Sequence, residues 1–257
     1  MFRTLIYFDK KKITEYKSLI EKKKAVLLKK VKVSEEKAGN GKLLAFSGSI
    51  SGKSEIDGEF LECNLLDCEE FENLLKEREA HDYFDFTEGS YYDIETIPKS
   101  SIIRFNATFN IPPDFDILEL INKFRPMLLD SINLDSKEES EMLKSLLGKE
   151  STKMPIFIEN EQDFSNRLGF AKINSNHLCC DVEELDDFEN EEVTIIAKLV
   201  SRKNISSEPI IVYDVMKDLF SISRAIRRQF SSGEIEGIKN ISIDESFVTL
   251  EILAIYR

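Results

Sequence analysis

The stretch of this chain nearest to a known chemical motif is rich in glycine and serine: residues 47–54, SGSISGKS. A phosphate-binding loop has the pattern G-x-x-x-x-G-K-[ST], because the loop must be long enough to wrap backbone N–H groups around the phosphates. Counting back from Gly52, the first glycine of that pattern falls on Ser47, and counting from Gly48 the loop is one residue short. Residues 55–58 then place acidic side chains where the receiving helix should begin. The stretch therefore favours a flexible turn or strand over a nucleotide site.

Cysteines and histidines are the second group that could do chemistry, as zinc ligands. The candidates are Cys63, Cys68, His81, His177, Cys179 and Cys180. Zinc sites usually take two ligands, spaced two to four residues apart, from each of two loops. Cys63 and Cys68 are five residues apart, and the side chains of two adjacent cysteines on an extended chain point to opposite faces. The spacing predicts buried structural cysteines and no metal.

Catalytic side chains have no recognisable motif either. The chain contains two histidines, and neither is accompanied by a nucleophile elbow. Acidic residues are abundant, but none lies in a pattern that would hold two carboxylates over a metal or a substrate. The sequence therefore predicts no catalytic residue and no cofactor.

A row of basic residues is the strongest candidate for a binding surface. A helix is predicted over residues 215–230, with the apolar stripe Val215, Leu219, Ile222, Ile226 and Phe230. Its opposite face carries Lys217, Arg224, Arg227 and Arg228. Such a row can contact phosphates or an acidic protein surface. It can equally pair with the acidic residues 181–192 of the same chain, and this internal pairing is the favoured interpretation.

The elements that hold this helix are the clearest in the chain. Residues 193–200 and 247–256 are predicted strands, nearly all apolar and rich in β-branched residues. A shorter apolar run, residues 209–214, ends in Asp214, which can cap the helix that follows. Two strands buried on both faces, with a helix between them, are the predicted folding core.

Shorter patterns predict the remaining elements. Strands are expected at residues 3–8, 103–111, 154–158 and 168–173. Helices are expected to begin near Lys11, at Asp67 with Glu70 in a capping box, and at Ser136 with Glu139 in a second one. Another helix has the apolar stripe Ile117, Leu118, Ile121 and Phe124, and Pro126 should kink or end it.

This mixture of strands and capped helices predicts an α+β fold with mixed or antiparallel sheets and packed helices. Residues 81–101 look like a long loop or an irregular hairpin, because they are acidic and aromatic and contain Gly89 and Pro98. We therefore expect an N-terminal region over residues 1–98 and a C-terminal domain over residues 99–257, with a single domain as the alternative.

Composition limits the classes of protein. The 257 residues are 42% hydrophobic and 32% charged, and no apolar run approaches the ~20 residues that span a bilayer. Four cysteines in a chain of this size fit reduced thiols better than disulfides. A cytosolic protein without a membrane partner is expected, and the net charge of -13 argues against general affinity for nucleic acid.

The charge is unevenly distributed along the chain. Residues 10–37 contain eleven lysines and four acids, whereas residues 55–95 contain fifteen acids and two basic residues. Residues 181–192 add eight acids. These segments either pair with one another or meet a charged partner, or they are simply solvated faces and charged loops, which is the favoured interpretation. A nucleic-acid-binding module that uses the lysines of residues 10–37 is one alternative function, and a nucleotide-binding enzyme that uses residues 47–54 is another.

Five short stretches, in order along most of the chain, carry a family resemblance. They are Ile6-Tyr-Phe-Asp9 before a helix, residues 47–54, residues 193–200, the basic helix with Arg224, Arg227 and Arg228, and the ending Ala254-Ile-Tyr-Arg257. With these the chain resembles an uncharacterised bacterial domain family that includes the first component of the two-gene Dodola anti-phage defence system. The second gene of that system resembles a ClpB-type AAA+ ATPase.

The resemblance implies a non-enzymatic adaptor or sensor that acts with the separately encoded ATPase. It carries over no functional residues, and whether the chain also associates with itself stays open.

Overall fold

The computed structural model describes residues 3–21, 64–77, 82–89, 92–131, 151–160, 162–205, 208–220 and 239–257. Their helices and strands, in chain order, are β1 (Leu5–Phe8), α1 (Lys10–Glu21), α2 (Asn64–Glu77), β2 (Tyr83–Asp85), β3 (Ile102–Asn110), α3 (Asp114–Ser131), β4 (Lys153–Glu159), β5 (Leu168–Asn174), β6 (Val193–Lys203), β7 (Ile210–Tyr213), β8 (Ile241–Ile243) and β9 (Phe247–Tyr256). The predicted α+β class is confirmed, since helices accompany a sheet with both parallel and antiparallel pairs.

Five of the strands close into a ring. β3 pairs with β4 and β4 with β5, both antiparallel, and β5 pairs parallel with β9. β9 then pairs with β6, and β6 pairs back to β3, again antiparallel. The hydrogen-bonded ladder therefore forms a barrel. β1 adds to it beside the end of β9, and β2 adds beside the start of β3.

The order of strands around the ring is informative. Numbered by their order in the chain, the barrel strands are β3 (first), β4 (second), β5 (third), β6 (fourth) and β9 (fifth). Around the ring they follow the order first, second, third, fifth, fourth, and the third and fifth strands are parallel. This is the arrangement of the five-stranded Greek-key barrel known as the OB-fold. Two long insertions interrupt it. One, between the first two strands, carries α3, and the other, between the last two, carries the two-stranded sheet β7–β8.

The barrel interior is filled by alternate residues of each strand, because side chains along a strand point to opposite faces in turn. On β3 the inward set is fully or almost fully buried: Ile103, Phe105, Ala107 and Phe109. The outward set on the same strand is half-buried or exposed: Arg104, Asn106 and Thr108. The predicted strand with one wet face is thereby confirmed.

A smaller apolar cluster lies outside the barrel, where α1 and α2 cover β1 and the end of β9. Ile13 of α1 and Phe71 of α2 pack there with Leu253 of β9. Two ion pairs join the helices: Lys10 Nζ lies 3.7 Å from Asp67 Oδ2, and Lys17 contacts Glu70. Part of the basic segment 10–37 is thus paired with part of the acidic segment 55–95.

Most predicted strands are present, and several other predictions are corrected. α2 begins at Asn64, so Asp67 lies in its first turn rather than capping it. The expected loop over residues 81–101 contains β2, which pairs parallel with β3. Strands from both sides of the expected boundary at residue 98 share one sheet, and the division into two regions stays a prediction.

The helix α3 differs from its prediction in two ways. It continues past Pro126 to Ser131, and Leu118 of the predicted stripe is buried together with Phe115, which was not part of that stripe. Ile117 and Phe124 of that stripe are instead 55% and 50% exposed. Among the helices described here, none has both the length and the apolar character to cross a membrane.

The predicted helix over residues 215–230 is described only at its start, as a π-helical turn at Val215–Leu219. Val215 and Leu219 are buried there, as predicted. Residues 221–238 and the predicted helix after Ser136 lie outside the described residues.

Candidate functional site

A cavity of about 420 Å³ opens on the outer surface of the barrel, where β5, β9 and the inserted strand β7 meet. Phe170 of β5 and Phe247 of β9 form its floor, with their ring centroids 6.5 Å apart. Ile210, Ile211 and Val212 form one wall. A volume of this size is typical of small-molecule sites, which range from about 300 to 1,000 Å³.

Three lysines from three different elements line this cavity. Lys12 comes from α1, Lys172 from β5 and Lys203 from the end of β6. Glu251 of β9 lies among them. In a chain with a net charge of -13, these lysines form a local concentration of positive charge.

Lys172 is held in place by a buried carboxylate. Its Nζ lies 2.6 Å from Asp218 Oδ2, and Asp218 is only 2% exposed. Burial alone raises the pKa of Asp218, but hydrogen bonds from Lys172 and from the backbone N–H of Asp214 outweigh it and lower that pKa. Burial lowers the pKa of Lys172, and the contact with Asp218 opposes that change. The ammonium group therefore has a fixed position beside the cavity.

The π-helical turn explains why Asp218 points inward. Asp214 caps the turn, since its side chain accepts a hydrogen bond from the backbone N–H of Lys217 at 3.0 Å. The turn then places Asp218 toward β5 while Lys217 stays exposed. Ser151 donates a hydrogen bond to the carbonyl oxygen of Asp218 at 2.6 Å, which fastens the turn to the start of β4. Single π turns occur frequently at functional sites.

Lys12 is paired at the other end of the cavity. Its Nζ lies 2.9 Å from Glu251 Oε1, and the Tyr16 hydroxyl donates to Glu251 Oε2 at 2.8 Å. Burial raises the pKa of Glu251, but these two hydrogen bonds outweigh it and lower that pKa. Lys203 forms no ion pair with any residue in the described part of the chain. It is thus the cavity cation most available to a ligand.

A second surface of interest is the outer side of α3. Ile117, Leu120 and Phe124 are 55%, 54% and 50% exposed, and their spacing of three and four places them in one stripe. Beside it, Lys123 Nζ pairs with Glu119 Oε1 at 3.3 Å. Since the other side of α3 is buried, this helix is apolar on two sides. Exposed apolar stripes of this kind mark interaction sites.

The candidates predicted from the sequence are only partly within the described residues. Lys217 is exposed on the π-helical turn, whereas Arg224, Arg227 and Arg228 lie outside the described residues, as do residues 47–54. The partner-binding role of the basic row therefore stays a prediction.

The zinc-ligand candidates are separated in a similar way, because Cys63 and His81 are outside the described residues. Cys68 is fully buried, as predicted, but Cys179 is exposed, so the prediction that the cysteines are buried is wrong there. His177 Nδ1 lies 3.4 Å from Oδ2 of the buried Asp9. Within the described ranges, no three His, Cys, Asp or Glu side chains come together as a metal site.

The cavity residues escaped the sequence analysis because no motif links them. Lys172 and Glu251 are the only charged residues of β5 and β9, whereas Lys203 follows Arg202 at the end of β6, a strand that also contains Lys198. A lone charge within a largely apolar strand is thus a signal for Lys172 and Glu251, but not for Lys203. Asp218 stands four residues after a helix-capping aspartate, where its inward orientation could not be read from spacing.

Fold and surfaces together define an α+β protein: a closed five-stranded barrel with a ligand-sized, lysine-lined cavity and one exposed apolar helix stripe. No protein-family model, no curated protein and no solved structure matches the chain.

Proposed function

We propose that this protein is a non-enzymatic adaptor of a bacterial anti-phage defence system, and that it acts by binding a separately encoded ClpB-like AAA+ ATPase. The defence system and the partner are those implied by the family resemblance described above. The observation that supports a binding role is the exposed apolar stripe of α3, which consists of Ile117, Leu120 and Phe124.

The spacing of the stripe indicates how a partner would hold it. Helices that bind in an apolar groove use anchors at positions i, i+3 or i+4, and i+7. Ile117, Leu120 and Phe124 have the spacing i, i+3 and i+7. Burying one large apolar side chain completely contributes about 1.5–3 kcal/mol. Three such anchors, already about half buried, are enough for the central cluster that dominates a typical interface.

Charge would guide the encounter. Lys217 is exposed, and it is the first residue of the basic row that the sequence predicts together with Arg224, Arg227 and Arg228. Complementary charges raise the association rate and fix the orientation more than they add affinity. The apolar stripe would supply the binding energy, and the basic row the steering.

The nucleic-acid alternative is less well supported. Near the start of the lysine-rich segment, Lys10, Lys12 and Lys17 form ion pairs with acids of the same chain. Lysines that are already paired gain less from a phosphate. These contacts favour the adaptor, and the nucleotide-enzyme alternative rests on residues 47–54, outside the described residues.

The proposal is tested by mixing the purified chain with the ClpB-like AAA+ ATPase proposed as its partner and measuring binding by sedimentation velocity. A complex is expected for the wild type, and the double substitution Ile117→Ser with Leu120→Ser should weaken it at least about tenfold. Val200→Ser is the matched control, because Val200 is 46% exposed on β6, away from α3. Both variants should fold, since substitutions at exposed positions usually change stability by less than ~0.5 kcal/mol. Absence of a complex, or equal binding by all three proteins, would contradict the proposal.

A further inference from the structure

We propose that the cavity between β5, β9 and β7 binds a small organic anion, a molecule with an apolar body and a single carboxylate or phosphate group. This inference concerns the isolated chain and does not depend on the proposed adaptor function.

The apolar body has a place to lie. Ile211 on the cavity wall is an apolar side chain of β7, and 57% of it is exposed to solvent. Phe170 and Phe247 lie beneath it but are almost fully buried, so the apolar surface that a ligand can cover belongs to the wall. Because removing apolar surface from water is favourable, a ligand whose apolar body covers Ile211 binds more tightly than one without such a body.

The charges in the cavity match one anionic group. Three lysines and one carboxylate, that of Glu251, line the cavity. Behind them, Asp9 lies 3.6 Å from Lys12, and Asp218 pairs with Lys172 and lies 3.4 Å from Lys153. Together these are four positive and three negative charges, an excess of one positive charge. Lys203 has no carboxylate partner among the residues described, and Lys172 is fixed by the buried Asp218. An anion beside Lys172 therefore meets a donor that needs little reordering, which lowers the entropic cost of binding.

The position in the barrel supports a binding role. OB-fold barrels bind ligands on the face of their second and third strands, together with the connections between strands one and two and between strands four and five. Here β5 is the third strand, and β7 belongs to the connection between the fourth and the fifth. This is an analogy at the level of fold, and it agrees with where the lysines converge.

A single strand of nucleic acid is the ligand that the same barrel face often accepts, but it fits this cavity poorly. Such ligands stack their bases on exposed aromatic rings. Phe170 and Phe247 are only 4% and 3% exposed, so neither can offer a ring face. The net charge of -13 also repels a polyanion. A small anion requires neither stacking nor a long basic track.

The proposal is tested by isothermal titration of the full chain with decanoate, adenosine monophosphate and inorganic phosphate. We expect at least one of the two organic anions to bind saturably, with a dissociation constant below about 1 mM. Inorganic phosphate should bind at least about tenfold more weakly, because it has no apolar body. Binding of decanoate alone indicates an acyl carboxylate as the natural ligand class, and binding of the nucleotide alone indicates a nucleoside phosphate.

Two substitutions locate the binding site. Lys203→Gln removes the unpaired cation and Ile211→Ser removes the apolar wall, and each should weaken the organic anion about tenfold. Lys99→Gln is the control, since Lys99 is an exposed lysine that does not line the cavity. Three results overturn the proposal: no saturable heat with either organic anion, phosphate binding as tight as theirs, or unchanged affinity in either cavity variant. Since no ATPase is present in this assay, such a failure leaves the adaptor proposal untouched.

Discussion

Arg104 is the side chain on which the packing of α2 and β2 against the barrel depends most. It lies on β3 and is 13% exposed, with Nη1 at 2.9 Å from Asp85 Oδ2 and Nε at 3.0 Å from the Tyr256 hydroxyl. Its Nε also lies 3.7 Å from Glu72 Oε2, and Glu72 is buried on α2. One guanidinium group thus offsets two buried carboxylates. Arg104 contacts Asp85 and Tyr256 through two different nitrogens of its planar guanidinium group, so the single ammonium group of a lysine could not replace it fully.

We therefore expect Arg104→Ala to lower the free energy of unfolding by about 1–3 kcal/mol, because two buried carboxylates lose one charged partner while Arg3 stays 2.7 Å from Glu72 and Lys76 stays 3.8 Å from Asp85. Urea denaturation measures this change. Lys123→Ala breaks the exposed ion pair with Glu119 and serves as the control, with an expected loss of about 0–0.5 kcal/mol. Similar losses in the two variants would show that Arg104 has no special role.

The same cluster should make stability depend on acid pH. Burial raises the pKa of Asp85, but hydrogen bonds from Thr87 and Arg104 outweigh it and hold that pKa below its usual value. The ionised carboxylate then stabilises the fold at pH values above the unfolded-state pKa, which is about 3.9. This contribution is lost as the pH falls through the lower, folded-state pKa.

Asp85→Asn should accordingly cost stability at neutral pH and reduce the further loss between about pH 5 and pH 2. Thermal unfolding followed across this pH range provides the measurement. Asp244→Asn, at an exposed position, is the control, and its stability should depend on pH as the wild type's does. If the stability of Asp85→Asn also falls with pH as steeply as that of the wild type, this explanation is wrong.

Among the elements, the pairing of β4 with β5 depends on a glycine. Gly169 lies opposite Ile158 in the antiparallel register. A Cβ at position 169 would lie 2.9 Å from both Ile158 Cβ and Phe164 Cε2, and 3.0 Å from the Ile158 carbonyl oxygen. Two of these neighbours are a backbone atom and a Cβ, which cannot move aside as the end of a flexible side chain can. The close approach leaves no room for a larger residue.

Gly169→Ala should therefore lower the free energy of unfolding by about 1–3 kcal/mol through overpacking. Gly89→Ala is the comparison, because a Cβ there meets nothing within 4 Å and the cost comes only from φ of +73°. That strain is worth about 1 kcal/mol. Thermal denaturation of both variants decides the matter, and a harmless Gly169→Ala would mean that the two strands lie farther apart.

The helices and strands were predicted unequally well, for physical reasons. Long strands such as β3, β6 and β9 can be predicted from the alternation of apolar and polar residues or from continuous apolar runs. β2 has only three residues, too few for a pattern. On α3 the predicted stripe is divided: Leu118 is buried together with Phe115, whereas Ile117 and Phe124 are exposed. Spacing alone does not show which part of an apolar stripe the tertiary packing covers.

For the whole molecule, closure of the barrel could not be predicted from the sequence. Alternation shows which side chains of a strand face inward, but not which strand lies beside it. The pairing of Ile102 with Lys198 joins β3 to β6 and closes the ring, and no local signal specifies it. The cavity depends on long-range pairing of this kind, since Lys12, Lys172 and Lys203 come from three elements far apart in the sequence.

The uneven charge is also a property of the whole molecule. Part of it is satisfied internally, by pairs such as Lys10 with Asp67 and Arg257 with Glu191. Association of the chain with a charged partner or with a second copy, driven by this uneven charge, stays a prediction. It would have to rely on charges that these pairs leave available, such as Lys217.

The adaptor proposal is tested most directly by hydrogen exchange of the chain, measured by mass spectrometry with and without a saturating amount of the proposed partner, a ClpB-like AAA+ ATPase. The account predicts slower exchange across α3, Asp114–Ser131, in the complex, because the exposed stripe becomes buried in a groove. The barrel strands β6 and β9 should change little, since they are already paired on both edges. A saturated complex in which α3 exchanges as fast as in the free chain would contradict the account.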